Sequence, residues 1–92
     1  MYDWDDNKNR LNIAAHSIAF EVAERFEWDG AVVEVDDRED YGELREKATS
    51  FIGSVLHVMI FAELDDGTLR IISLRKATKR EKQIYVRHQQ DR

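Results

Sequence analysis

The segment Val55-Leu56-His57-Val58-Met59-Ile60-Phe61-Ala62-Glu63-Leu64-Asp65-Asp66-Gly67-Thr68-Leu69-Arg70-Ile71-Ile72-Ser73-Leu74 decides the fold class. Val55 to Leu64 has the apolar and β-branched character of a strand, and Thr68 to Leu74 reads as a second. Asp65-Asp66-Gly67 lies between them, and an Asp-Gly pair suits the positive φ of a tight hairpin turn. An antiparallel hairpin is therefore the centre from which the rest of the chain is placed.

Upstream, about Arg45 to Ile52 reads as an earlier strand and Ala31 to Val35 as another by β-branched content, with a charged loop from Asp36 to Tyr41 between them. Before these, Asp5 or Asp6 can cap a helix running to about His16. Leu11, Ala14 and Ala15 give it a partly apolar face, with Lys8 and Asn12 four apart on another. A second short helix is expected from Ala19 to Phe26, where Phe20, Ala23 and Phe26 recur at three-residue spacing. Downstream, Thr78-Lys79-Arg80-Glu81 is a capping box opening a helix to about Gln90. Helices at both ends and antiparallel strands between them give an α+β class: a small antiparallel sheet with N-terminal helices on one face and a C-terminal helix.

Ninety-two residues fit one domain, 1–92, with a modest core. There is no Cys, so no disulfide framework or thiolate metal site is expected, in keeping with a cytoplasmic protein. The acidic start, Met1 to Asp6, is unlike a secretory leader, and the longest apolar run is too short to span a membrane. The charge is polarised. Overall it is −5, yet Arg70 to Arg92 carries eight basic and two acidic residues, while the remaining 69 carry six basic and seventeen acidic. A globally acidic chain is a poor bulk nucleic-acid binder, but a concentrated basic segment can hold phosphates locally.

Several chemistries lack their residues. His16, His57 and His88 show no metal-ligand spacing, and no phosphate-binding glycine loop or Gly-x-Ser-x-Gly elbow is present, so neither a metal nor a cofactor is expected. A basic and polar constellation remains. Arg70, Ser73, Arg75, Lys76, Lys79 and Arg80 cover the exit of a strand and the entry of a helix, whose free N–H groups already favour anions. Cations there oppose the helix dipole, which suggests that an anion is held. Metal-free RNA cleavage needs a base for the 2′-hydroxyl proton, positive groups for the phosphorane and an acid for the leaving oxygen. His16, Tyr85 and Lys8 are the proton-transfer candidates, although Tyr85 also fits a core-facing helix residue and His16 a C-terminal residue facing the dipole.

Three blocks of sequence resemble one family. Trp4-Asp5, Lys8, Asn12, His16 and Phe20, followed by Ala23 and Phe26, resemble the opening signature of BrnT toxins. Tyr41-Gly42-Glu43 with Arg45 resembles the middle motif, and Arg70 to Glu81 with Tyr85 the closing one. The resemblance implies a RelE-like fold and a ribonuclease toxin of a type II toxin–antitoxin system. It further implies neutralisation by a BrnA-like ribbon-helix-helix antitoxin, contact with operator DNA only through that antitoxin, and a hetero-oligomeric complex. On the matching positions it implies an active surface of His16, Arg70, Ser73, Arg75, Lys76, Lys79 and Arg80. Arg70 and Arg75 are then assigned to phosphate stabilisation, Ser73, Lys76, Lys79 and Arg80 to RNA binding, and His16 to proton transfer. The chain departs from the pattern in two places: Ala15-His16-Ser17 stands where the family usually has Lys-His followed by Gly, and Ser50 where Gly is common. An attenuated or inactive toxin-fold module, acting mainly as an antitoxin partner in an autorepressor complex, is the alternative reading.

Overall fold

A computed structural model describes residues 1–91. The hairpin is as the sequence reads: β4 (Val55–Glu63) and β5 (Leu69–Lys76) pair antiparallel. The Gly67 N–H donates to the Leu64 carbonyl at 2.9 Å, and the Leu64 N–H to the Thr68 carbonyl at 2.8 Å. Gly67 alone in this turn has positive φ, +86°, so the turn closes on one left-handed glycine, not on two left-handed residues. β3 (Glu46–Ile52) pairs antiparallel with β4, and β2 (Val32–Val35) with β3.

The sequence reading omitted one strand. β1 (Tyr2–Asp3) runs parallel to β5, with Tyr2 opposite Leu69 and Asp3 opposite Arg70, so the sheet is mixed, in the order β1-β5-β4-β3-β2. β5 also carries a bulge. Ile60 faces Ser73 and Phe61 faces Ile71, which leaves Ile72 as the extra residue.

The two faces of β4 serve two layers. Met59 and Phe61 join Phe20, Ala23, Phe26, Ala48, Ile71 and Leu74 in the larger core. Leu56, Val58 and Ile60 pack with Ala77 beneath α2 (Lys79–Gln90) on the other side. Fully burying a side chain such as Phe20 contributes roughly 1.5–3 kcal/mol, so the larger cluster dominates the driving force. The short helix expected from Ala19 to Phe26 is present as a 3₁₀ helix, Phe20–Arg25. With three residues per turn, Phe20, Ala23 and Phe26 align on one side, and all three are buried.

α1 (Asp6–His16) begins at Asp5, whose Oδ1 accepts from the N–H groups of Asn7 and Lys8 at 2.8 and 3.1 Å, and ends at Ser17 in a left-handed conformation. Its burial reverses the sequence reading. Leu11 is 62% exposed, Ala14 and Ala15 face solvent, and Asn12 is the buried residue. The Asn12 Nδ2 donates to the carbonyls of Ile18 and Leu74, both at 2.8 Å, and its Oδ1 accepts from the Leu74 N–H at 3.1 Å. β1 is too short to cover Leu74, so the amide of Asn12 completes that edge of β5 in place of a strand. Among the described residues no helix is long and apolar enough to cross a membrane.

Candidate functional site

Asn12 fixes which part of α1 lies along β5. Lys8 and His16 stand one turn before and one turn after it on the same stripe, so both follow the β5 edge, about 12 Å apart along the helix axis. Lys8 falls beside Arg70. Together with Trp4, Asp5, Glu43, Ile71 and Ile72 they line a cleft of about 460 Å³.

Arg70 is half exposed. Its Nε and a terminal guanidinium nitrogen donate to the two carboxylate oxygens of Asp3 at 3.2 and 3.3 Å, across the β1–β5 pair. Asp3 raises the pKa of the guanidinium, and the negative fields of Glu43 and Asp5 add to the effect. Both contacts are long for a charge-assisted pair and open to water, so Arg70 is a cation that an incoming phosphate can recruit. Lys8 is exposed and forms no ion pair among the described residues.

Glu43 enters the cleft from the loop ahead of β3, and that loop is fastened at several points. Arg38 grips the buried carboxylate of Asp36 with bonds of 2.7 and 3.0 Å, holding that acid below the usual carboxylate range. The Asp36 N–H donates to the Arg45 carbonyl at 2.8 Å. Arg45 lays its guanidinium 3.9 Å from the Tyr41 ring centroid, with its Nε 3.5 Å from Glu43. Gly42, at φ +74°, takes the turn between Tyr41 and Glu43. The sequence reading matched Glu43 to a motif but gave it no role; its sharing a cleft with Lys8 and Arg70 depends on contacts far apart in the chain.

The other candidate residues divide into three groups. Ser73 and Arg75 stand opposite Ile60 and Val58 on the same sheet face as Arg70, but outside the cleft lining. Arg75 is not the free phosphate cation expected of it: both terminal nitrogens donate to Glu81, at 2.7 and 2.9 Å. Lys47 from β3 reaches the same carboxylate at 2.9 Å, and the Thr78 N–H donates to it at 2.8 Å. Bonded first by Arg75 and then by these neighbours, Glu81 stays ionised far below the ordinary glutamate range. The anion that the cationic start of α2 holds is thus a side chain of α2 itself, and the expected capping box is complete.

Lys76, Lys79 and Arg80 are exposed and form no ion pair among the described residues, and Lys76 alternates onto the face opposite Arg75. His16 is exposed at the end of α1 and does not line the cleft. Tyr85 belongs to the packing of α2, edge-on to Phe51 at 5.6 Å, with its hydroxyl 3.4 Å from the Gly30 carbonyl. Of the departures from the family pattern, Ser17 takes the left-handed position, φ +61°, that ends α1 and that a glycine adopts most freely. Ser50 is buried and donates its hydroxyl to the Glu27 carbonyl, while Ala15 lies on the open side of α1.

The family model described as "Ribonuclease toxin, BrnT, of type II toxin-antitoxin system" matches residues 4–81, a span that includes the cleft, the fastened loop and the Arg75–Glu81 pair. The chain belongs to the BrnT family. Among solved structures, the Brucella abortus ribonuclease toxin BrnT is similar to it at 28% identity and a TM-score of 0.64, covering 86% of this chain and 99% of that one. No curated protein matches the chain. As a BrnT-family protein it has the α+β architecture of that toxin, and membership of a type II toxin–antitoxin family implies an antitoxin partner.

Proposed function

We propose that this BrnT-family chain is a metal-independent endoribonuclease whose reaction centre is the cleft between α1 and β5. The observation that carries the reading is the meeting of two cations, Lys8 and Arg70, with two carboxylates, Asp5 and Glu43, in that cleft, Asp5 being engaged by the backbone N–H groups that it caps and Glu43 being left for chemistry. Arg70 leaves Asp3 for the scissile phosphate and offsets the charge that develops on the phosphorane. Glu43 takes the proton from the 2′-hydroxyl, and O2′ forms a bond to phosphorus as the bond from phosphorus to O5′ breaks. The Lys8 ammonium gives its proton to O5′. The products are a 2′,3′-cyclic phosphate and a 5′-hydroxyl end, and water resets both proton carriers. His16, at the far end of the stripe, together with Ser73, Lys76, Lys79 and Arg80, binds flanking RNA in this scheme. Arg75 serves the fold through Glu81.

A BrnA-like ribbon-helix-helix antitoxin is the proposed partner in a hetero-oligomer, reaching operator DNA on the toxin's behalf and silencing the cleft by covering it. An RNA substrate supports a cytoplasmic location. Purified protein should cut single-stranded RNA in EDTA and leave cyclic phosphate ends. Arg70→Ala, Lys8→Ala and Glu43→Gln should each lower the rate by about 100-fold or more. One observation favours the alternative, an inactive toxin-fold module: Arg75, one of two arginines expected at the phosphate, is withdrawn onto Glu81. A folded, antitoxin-binding protein that leaves RNA intact would establish that alternative.

A further inference from the structure

A second concavity, of about 800 Å³, shares Trp4 with the cleft but differs from it in being aromatic and acidic where the cleft holds both signs of charge. Tyr2, Trp4, Phe26 and Trp28 make its floor and walls, and Glu21 and Glu24 stand at its rim. Among the described residues no lysine or arginine lines it. Both tryptophans of the chain are here. The aromatic residues are held by contacts with one another and with the core. The Trp28 Nε1–H donates to the Tyr2 hydroxyl at 2.7 Å, and its ring meets Phe26 and Phe61 edge-on at 4.9 and 5.6 Å. Trp4 meets Phe20 edge-on at 6.1 Å. Trp28 nevertheless stays 37% exposed. Glu21 is aimed by Asn9, whose Nδ2 donates to it at 2.9 Å and holds its pKa down.

Electron-rich ring faces beside two carboxylates, with no lysine or arginine among the described residues of the lining, repel a polyanion and suit a cation carried on an apolar stem. We infer that this groove is a protein-docking surface that takes an arginine- or lysine-bearing apolar segment of the antitoxin, the cation lying between Trp28 and the Glu21–Glu24 rim. The antitoxin as occupant rests on the family reading; the cationic chemistry of the groove does not. Its recognition logic differs from that of the Arg70 cleft, so the partner grips the groove with positive charge while the RNA-facing cleft meets negative charge.

The test uses the two indole N–H signals of the ¹⁵N-labelled full chain as local reporters. The probes are the blocked tripeptides acetyl-Leu-Arg-Leu-amide and acetyl-Leu-Glu-Leu-amide and the dinucleotide UpU. Saturable shifts of the Trp28 and Trp4 indole signals are expected with the arginine peptide alone. Binding should weaken about ten-fold or more in Glu21→Gln/Glu24→Gln, and Arg70→Ala should bind unchanged. Equal response to the glutamate peptide, shifts with UpU at the same indoles, no saturable response, or undiminished binding by the double variant would each overturn the inference. None of these results depends on RNA cleavage, so a failed groove and a failed ribonuclease are told apart.

Discussion

Replacing Asn12 with Ala removes three hydrogen bonds at once. Two are donated by Nδ2 to the carbonyls of Ile18 and Leu74, and one is accepted by Oδ1 from the Leu74 N–H. The residue is 6% exposed, Ile18 is 9% and Leu74 is fully buried, so water reaches the abandoned groups poorly. At about 1 kcal/mol per net bond the loss is about 3 kcal/mol, with further cost where a buried partner stays unpaired. Domains of this size carry about 5 kcal/mol or somewhat more, so the change removes a large share of the total. The melting temperature should fall by roughly 12 to 24 °C. Asn12→Asp should be worse than Ala at neutral pH, because a carboxylate still accepts from the Leu74 N–H but confronts two carbonyl oxygens. The assay is urea and thermal unfolding followed by circular dichroism, with the urea slope checked for constancy. An Asn12→Ala protein within about 0.5 kcal/mol of wild type would refute the anchoring role, since ordinary surface changes lie in that range.

Other perturbations probe other joints. Glu81→Gln should cost about 2 kcal/mol at neutral pH, because the carboxylate accepts from Arg75, Lys47 and the Thr78 N–H and is largely enclosed. The carboxyl is depressed in the folded state, so its contribution is complete above the ordinary value of 4.5 and is lost as pH falls towards the folded value. Acid titration of stability should therefore be shallower in Glu81→Gln than in wild type below about pH 4.5. Gly67→Ala meets no atom within 4 Å but must hold φ at +86°; a loss of about 1 kcal/mol is expected, measured as a lower denaturation midpoint. Arg70→Ala should leave the melting temperature near wild type while lowering scission by about 100-fold or more, because its ion pair with Asp3 is at the surface; coincident loss of both would place Arg70 in the fold.

What the sequence made legible was local. The Asp66-Gly67 turn, the Asp5 cap and the Thr78–Glu81 box are written in neighbouring residues, and each element begins or turns where those residues say. The illegible parts are long-range. Tyr2–Asp3 is too short to show alternation, and its place is decided by β5 and by the opposed charges of Asp3 and Arg70. Asn12 reads as a surface residue until the uncovered backbone of Leu74 supplies its partner. Arg75 reads as a free cation because Glu81, six residues on and across the strand–helix junction, was assigned only to the cap. One clue was in view: recurrence at three residues, without the i+4 positions, is the repeat of a 3₁₀ helix, and Phe20 to Arg25 takes that form. For the site, Lys8 and Arg70 were both chosen from sequence, but their meeting with Glu43 needs the fastened loop to fold over the sheet.

The extra residue in β5 has a genetic consequence. Arg70 and Arg75 are five positions apart, an odd interval that in an uninterrupted strand turns two side chains to opposite faces. Because Ile72 has no opposite number, Arg70 stands across from Ala62 and Arg75 across from Val58, which share a face. A three-nucleotide deletion of codon 72 would keep the reading frame and the hydropathy of the strand almost intact. It would also force a choice between turning Arg70 into the core with Asp3 left behind, and sliding the hairpin out of register against its own glycine turn.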